Sequence, residues 1–233
     1  MLRLAVASVT PAADDIPAPM PAWAGGAERR RWQALRGRPR AAFIASRLLV
    51  RELLASATGV PAAAWEVSAE AGVAPVARSP EAANTVHVSL SHRLGWVAAA
   101  VADAPVGVDI ECDRPARSEP DERAALMLAP GELTEWRRLA EGERQAALLA
   151  RWTAKEAWFK ASPPQAAPWD FRRVQAREGG PADAHANVRT WRAAPLHVAV
   201  CCADPRALAA ARCEGLPRVD DERWWQVAAA PSL

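Results

Sequence analysis

The sequence predicts an α+β fold of two similar lobes, each with one long helix packed on an antiparallel sheet. Residues 41–54 carry apolar side chains at helical spacing, and an alternating strand follows at 86–90. The pattern occurs a second time, with a helix at 151–161 and a strand at 196–200. Because the helix-to-strand offset is nearly the same in both cases, we interpret the two halves as a weak internal repeat.

This repeat divides the chain into an N-terminal lobe, residues 1–104, and a C-terminal lobe, residues 105–233. The chain has 233 residues, of which 51% are hydrophobic, so it is long enough to bury a substantial core. A cleft between two packed lobes is a natural ligand site, and we expect the active site there. Since the two lobes together would complete that site, we also expect a monomer.

Composition argues against several classes of protein. A net charge of +2 predicts no general affinity for nucleic acid. No apolar stretch is long enough to cross a bilayer, and the first apolar run is too short for a signal peptide, so we expect no membrane association. Cys112, Cys201, Cys202 and Cys213 show no Cys-x-x-Cys spacing, which predicts free thiols and a cytoplasmic protein.

The strand at 86–90 ends in three successive polar side chains, Ser91, His92 and Arg93. A hydroxyl, an imidazole and a guanidinium are suitable hydrogen-bond donors to a phosphate. No third partner for a Ser-His-Asp triad is evident, so a hydrolase of that type is disfavoured. The alternative is that this Ser-His pair is only structural.

Residues 105–111 alternate like a strand and place two carboxylates on one face. Gly107, Asp109 and Glu111 share this face, while Val106 and its alternate neighbours share the other. Carboxylates this close repel each other unless a cation lies between them. Their oxygens are hard ligands that suit Mg²⁺ or Mn²⁺. The alternative is an edge strand with a polar outer face.

Lys155 and Lys160 are the only lysines, and the other 27 basic residues are all arginine. A site that keeps lysine in so arginine-rich a chain predicts a need for a compact ammonium, such as binding phosphate beside a metal. Glu156 lies four residues before Lys160, so the alternative is a solvated helical ion pair. Lys155 lies about 100° around the helix from Glu156 and is expected to cover the outside of the helix.

The chain contains three motifs in order: Ser91-His92, Gly107-Val108-Asp109-Ile110-Glu111, and Trp152-x-x-Lys155-Glu156-Ala157-x-x-Lys160. Together they resemble the 4'-phosphopantetheinyl transferases of the surfactin-synthetase type, over about residues 29–200. The resemblance implies an enzyme that moves phosphopantetheine from coenzyme A to a serine of an acyl or peptidyl carrier protein. The other product would be 3',5'-adenosine bisphosphate.

The resemblance also implies roles for individual residues. Asp109, Glu111 and Glu156 would hold Mg²⁺, with Mn²⁺ as a substitute, and Lys160 would contact the pyrophosphate. Glu132, in the segment Ala-Pro-Gly-Glu-Leu, would take the proton of the acceptor serine.

Other residues would bind coenzyme A or the carrier protein. Ser91 and His92 would contact the nucleotide end of coenzyme A, Lys160 would contact its pyrophosphate, and Arg40 would contact its 3'-phosphate. Residues 126–128, Leu-Met-Leu, are candidate contacts for an apolar carrier helix, against the alternative that they belong to the core.

The chain departs from the family pattern in two places: it lacks a basic residue in one and has an additional one in the other. Many members have Gly-Lys-Pro upstream, whereas Gly72-Val73-Ala74-Pro75 lacks the lysine. Many also have a second serine where this chain has Arg93. Either Arg78 or Arg93 is a candidate to replace the missing lysine.

Two alternative functions remain open. One is a catalytically degenerate homologue that only binds coenzyme A or a carrier protein. The other is a metal-dependent phosphohydrolase in which Asp109 and Glu111 position a water. The complete set of three acids and Lys160 argues against the first, and the second leaves the two lysines and Ser91-His92 without a common role.

Overall fold

The computed structural model describes residues 1–9, 21–70, 72–113, 120–163, 170–181 and 183–229. In these ranges the helices are α1 (Gly26–Ala34), α2 (Gly37–Thr58), α3 (Pro120–Met127), α4 (Pro130–Arg138), α5 (Glu141–Ala161) and α6 (Pro205–Ala210), with single 3₁₀ turns at Ala62–Ala64 and Phe171–Arg173. The strands are β1 (Leu2–Ser8), β2 (Glu66–Val67), β3 (Ala77–Arg78), β4 (His87–Arg93), β5 (Trp96–Ala102), β6 (Val106–Cys112), β7 (Val174–Gly179), β8 (Val188–Ala193), β9 (Leu196–Cys202), β10 (Cys213–Glu214) and β11 (Asp221–Ala229).

The first sheet has the strand order β10-β1-β5-β4, and α2 packs across it. The predicted helix at 41–54 is confirmed and is longer at both ends. Its Leu49, Val50, Leu53 and Leu54 form the apolar stripe that meets the sheet. Gly59 ends the helix in the left-handed conformation, with φ of 76°, which glycine adopts without steric cost.

The second sheet has the order β6-β9-β8-β11-β7, and every neighbouring pair in it is antiparallel. Helix α5 packs against β6 and β9 and begins ten residues before the predicted start at 151. Its first half is held by a separate apolar cluster with α3 and α4, which includes Leu128, Trp136 and Leu148. Gly142 did not prevent this early start because it lies in the first turn, where less of the helix depends on it.

The predicted α+β class is confirmed, with a four-stranded and a five-stranded sheet that each carry one long helix. The similarity of the two lobes stays a prediction, and so does their boundary at residue 104. One strand crosses that boundary, since β10 at residues 213–214 pairs in parallel with β1 of the first sheet. Within the described ranges, none of the helices combines the length and apolarity that crossing a bilayer requires.

The two sheets meet where β4 and β6 lie side by side. These strands are joined by serine hydroxyls rather than by a main-chain ladder. Ser89 Oγ accepts a hydrogen bond from the Val108 amide at 3.0 Å, and Ser91 Oγ accepts one from the Ile110 amide at 3.4 Å. This junction places the polar end of β4 directly beside the acidic face of β6.

Candidate active site

Helix α5 crosses β6 at Gly107, where helix and strand backbones are in contact. A Cβ atom at this position would overlap the carbonyl oxygen of Ala157 and lie 2.7 Å from the amide nitrogen of Ala161. Only glycine permits so close an approach. The approach brings the C-terminal turn of α5, with Lys160, onto the carboxylate of Asp109.

The Lys160 ammonium joins the two sheets through three hydrogen bonds. Its Nζ donates to Asp109 Oδ1 at 2.7 Å, to the Val108 carbonyl at 3.1 Å and to Ser91 Oγ at 3.2 Å. The Ser91 hydroxyl itself donates to Asp109 Oδ1 at 2.8 Å. Asp109 is only 6% exposed, and its other oxygen, Oδ2, is buried without a hydrogen-bond partner. An unpaired buried carboxylate oxygen is costly, so it marks a place suited to a cation.

The two other predicted metal ligands lie close to Asp109. Burial, and then the negative charge of Asp109, raise the pKa of Glu156 to about 7. Burial likewise raises the pKa of Glu111, although Arg93 partly opposes this shift, and Trp152 donates a hydrogen bond to the same carboxylate. The three carboxyl groups are therefore close enough for the charge of one to affect the pKa of another.

Within the described ranges, no three acidic, histidine or cysteine side chains converge closely enough to hold a metal ion. Two internal cations occupy the carboxylates of β6 instead. Lys160 is paired with Asp109, and Arg93 Nε lies 2.8 Å from Glu111 Oε2. The donors nevertheless fit a divalent cation, because they are hard oxygens and Asp109 Oδ2 has no partner. The metal assignment stays a prediction that these residues support.

His92 follows Ser91 at the end of β4. Partial burial, and then the positive charges of Lys160 and Arg93, hold the pKa of His92 below its usual value. A neutral imidazole can still donate one hydrogen bond to an anionic ligand. Ser91 is engaged by Asp109 and Lys160 and helps to hold this cluster together, and its predicted contact with coenzyme A stays a prediction.

A cavity of about 850 Å³ opens beside Lys160, between β6 and the segment that precedes β4. The lining consists of Trp65, residues 74–80, residues 82–88, Pro105, Val106, Lys160 and Ala161. Arg78 and Lys160 line it, and none of the lining residues is acidic. The Arg78 main chain pairs with Glu66, but its side chain makes no hydrogen bond or ion pair with the described part of the chain. This charge pattern favours an anionic ligand.

Arg40 is engaged elsewhere in the described conformation. Its Nε donates to the Leu35 carbonyl at 2.8 Å, and its guanidinium lies 4.5 Å from the ring centre of Trp32. Among the described residues it belongs neither to the Asp109 cluster nor to the cavity lining. Its predicted contact with a 3'-phosphate stays a prediction.

Glu132 is almost fully buried, at 2% exposure, and both of its oxygens have partners. Oε2 accepts the Ala129 amide at 2.7 Å and Lys155 Nζ at 2.5 Å, while Oε1 accepts the Ala176 amide at 2.7 Å. The Ala129 contact caps the start of α4, as glutamate at the third helical position commonly does. These contacts indicate a structural role more than that of a base. The sequence signal for this capping role is a proline at the start of the helix, Pro130, followed two residues later by Glu132.

The prediction that Lys155 covers the outside of α5 is wrong, because its side chain is 0% exposed. Besides Glu132, the ammonium donates to the Met127 carbonyl at 3.0 Å and the Phe171 carbonyl at 3.1 Å. Burial lowers its pKa, although the negative charge of Glu132 opposes this. The helical pattern missed this role because the partners come from α3, α4 and the turn before β7, which pack over that side of α5.

Comparison with known families bears on the segment that carries these residues. Residues 105–211 match the model of the 4'-phosphopantetheinyl transferase superfamily. The match covers a little under half of the chain and runs from β6 to the end of α6, so it includes the three acids, Glu132 and both lysines. It supports phosphopantetheine transfer as the general activity of this segment. The resemblance to the surfactin-synthetase type stays a prediction, and no curated protein matches the chain.

Proposed function

We propose that this protein is a surfactin-synthetase-type transferase, which moves 4'-phosphopantetheine from coenzyme A to a serine of an acyl or peptidyl carrier protein. The observation that carries the proposal is the pairing of Asp109 with Lys160, which lines a large cavity without acidic side chains. Both residues lie in the segment that matches the transferase superfamily. The other product is 3',5'-adenosine bisphosphate.

Asp109, Glu111 and Glu156 are proposed to hold Mg²⁺, for which Mn²⁺ can substitute. When bound, the ion offsets negative charge on the two phosphates of coenzyme A. The unpartnered Oδ2 of Asp109 supports this assignment, since a buried carboxylate oxygen without a donor is suited to a hard cation.

Three residues, Lys160, His92 and Arg78, bind and orient the pyrophosphate of coenzyme A. Lys160 lines the cavity and is paired with Asp109, so its ammonium can exchange one of its three hydrogen bonds for a phosphate oxygen while it keeps the contact with Asp109. His92 donates a hydrogen bond beside it. Arg78, which lines the cavity without a partner, takes the place of the lysine that the family has upstream. Arg93 is less suited to that place because it is paired with Glu111.

The transfer itself needs alignment and charge more than covalent chemistry from the protein. The serine oxygen of the carrier forms a bond to the phosphorus that bears pantetheine. The bond from that phosphorus to the bridging oxygen breaks, and 3',5'-adenosine bisphosphate leaves with the electron pair. The resemblance assigns the serine proton to Glu132. In that role the carboxylate would have to release Lys155 or a backbone amide.

The carrier protein is proposed to dock near α3. Leu126 on this helix is 68% exposed, whereas Leu128 is 1% exposed and Met127 packs partly buried against the same cluster, so the predicted three-residue contact reduces to Leu126. Burying an exposed leucine against an apolar carrier helix would stabilise such a complex. We further propose a cytoplasmic monomer, and the four free cysteines are compatible with a reducing compartment.

The test is intact-mass spectrometry of a panel of apo carrier proteins incubated with this protein, coenzyme A and Mg²⁺. The expected result is a gain of one phosphopantetheine on at least one carrier, lost when a chelator is added. Coenzyme A that is bound without any transfer would favour the degenerate homologue. Release of phosphopantetheine or phosphate in the absence of a carrier would favour a phosphohydrolase.

A further inference from the structure

Glu111 carries an internal counter-ion that the resemblance does not predict. Arg93 is the last residue of β4, and its Nε lies 2.8 Å from Glu111 Oε2 across the junction of the two sheets. Lys160 holds Asp109 in the same way at 2.7 Å. Both carboxylates of β6 are therefore neutralised by side chains of the chain itself.

The two pairs differ in how firmly the cation is held. Lys160 uses all three of its donors on Asp109, Ser91 and a main-chain carbonyl. Arg93 is close to Glu111, but its Nε–H has no hydrogen bond of good geometry, and 35% of its side chain is exposed. A charged pair without a well-formed hydrogen bond is held less firmly than one with three of them, so the Arg93–Glu111 pair is the easier of the two to break.

Only the side chain of Arg93 is free to move. Its main chain pairs with Trp96 across a two-residue turn, in which Leu94 and Gly95 have φ of 43° and 82°. Its carbonyl also accepts a contact from the Cys112 thiol at 3.8 Å. The guanidinium can therefore swing into solvent without any change in the fold of the junction.

We propose that Arg93 is a counter-ion that competes with the divalent cation for Glu111 and thereby sets the metal affinity of the site. This inference rests on the metal site of the proposed function. A cation bound to Glu111 must displace the guanidinium, because two positive groups at one carboxylate oxygen repel each other. Removing Arg93 frees that oxygen, so the site binds metal more tightly.

The test uses Mn²⁺ alone as the probe, added to chelator-treated protein. Binding is followed by the loss of the electron paramagnetic resonance signal of free Mn²⁺. We expect Arg93→Ala to bind with a dissociation constant about fivefold lower than that of the unmodified protein, the upper end for a partly exposed ion pair. Arg93→Lys keeps the charge and should restore the original affinity. Arg223→Ala is the matched control, since Arg223 is 36% exposed and also ion-paired.

Thermal unfolding separates competition from a purely structural role. In chelator, Arg93→Ala should unfold at a slightly lower temperature than the unmodified protein, and Mn²⁺ should raise that temperature by more in the variant. Equal or weaker Mn²⁺ binding by Arg93→Ala would overturn the inference and leave the metal site intact. Absence of Mn²⁺ binding in every protein, with Asp109→Asn as the reference for an abolished site, would overturn the metal site as well.

Discussion

The two lysines of α5 form two carboxylate pairs of opposite character. Lys155 and Lys160 are five residues apart and lie about 140° from each other around the helix axis. Lys155 is 0% exposed and meets Glu132, whereas the side chain of Lys160 is 29% exposed and meets Asp109. One helix therefore carries a closed ion pair on one side and an open one on another.

The two pairs differ in whether every donor and acceptor of the two side chains has a hydrogen-bond partner. Glu132 uses both oxygens and Lys155 uses all three donors, so no part of that pair is available to a ligand. In the other pair Lys160 also uses all three donors, but Asp109 Oδ2 has no partner and Lys160 borders the large cavity. The open pair, which has an unpaired oxygen, is therefore the better candidate for chemistry, and the closed pair is the better candidate for stability.

The largest effect is expected when the open pair loses its charge. Asp109→Asn keeps the shape of the side chain but removes the negative charge that pairs with Lys160 and that would hold the proposed metal ion. Transfer to a carrier protein should fall by about 10³-fold or more, while the variant still folds. Rates from intact-mass spectrometry and circular dichroism spectra measure the two properties.

Asp221→Asn is the control for this change, since Asp221 is 41% exposed and paired with Arg223 away from the site. It should leave the transfer rate unchanged. An active Asp109→Asn variant would contradict the assignment of Asp109 to the site.

Breaking the closed pair of Lys155 and Glu132 should chiefly lower the stability of the fold. Glu132→Gln leaves the Lys155 ammonium buried without a charged partner, which lowers the free energy of unfolding by about 3–5 kcal/mol. Urea denaturation measures this loss. Replacing both residues by methionine should regain little of it, because the Ala129 and Ala176 amides and the Met127 and Phe171 carbonyls would lose their partners. A Glu132→Gln variant of full stability but without transfer would instead support Glu132 as the base.

Exchanging lysine for arginine at the two positions should give crossed results. Lys160→Arg keeps the charge but not the compact ammonium, so transfer should fall by about 10²-fold with little loss of stability. Lys155→Arg forces a larger group into a filled site and should cost about 1–3 kcal/mol of stability. Both variants are compared by transfer rate and by urea denaturation. Near-normal transfer by Lys160→Arg would refute the need for an ammonium.

A smaller effect is expected from the close contact that positions the open pair. Gly107→Ala would press against the Ala157 carbonyl and move α5 away from β6, at a cost of about 1–3 kcal/mol and with reduced transfer. Gly142→Ala, at the other end of α5, meets nothing within 4 Å and should be neutral or stabilising by up to about 1 kcal/mol. Thermal unfolding of the two variants measures the contrast. Equal stabilities would show that the contact at Gly107 is not restrictive.

Much of the fold followed from local pattern. Alternation predicted the strand at 105–111, and helical spacing predicted the centre of α2. The acidic face of β6 followed in the same way, since residues two apart in a strand must share a face. The boundaries of the elements did not follow from local pattern. The start of α5, for example, is stabilised by packing against α3 and α4, which the sequence of α5 does not reveal.

The sequence by itself determined that Asp109 and Glu111 share one face of a strand and that Glu156 and Lys160 share one face of a helix, because spacing within an element fixes which side chains lie together. The resemblance to the transferases then implied that the four residues belong to one site. Only the tertiary structure decided what each side chain meets. Lys155 is buried because Glu132 and two carbonyl groups from distant segments close over it, and Arg93 reaches Glu111 because two sheets meet at β4 and β6. Such contacts arise from packing between elements, and the local sequence of one element carries no record of its neighbours.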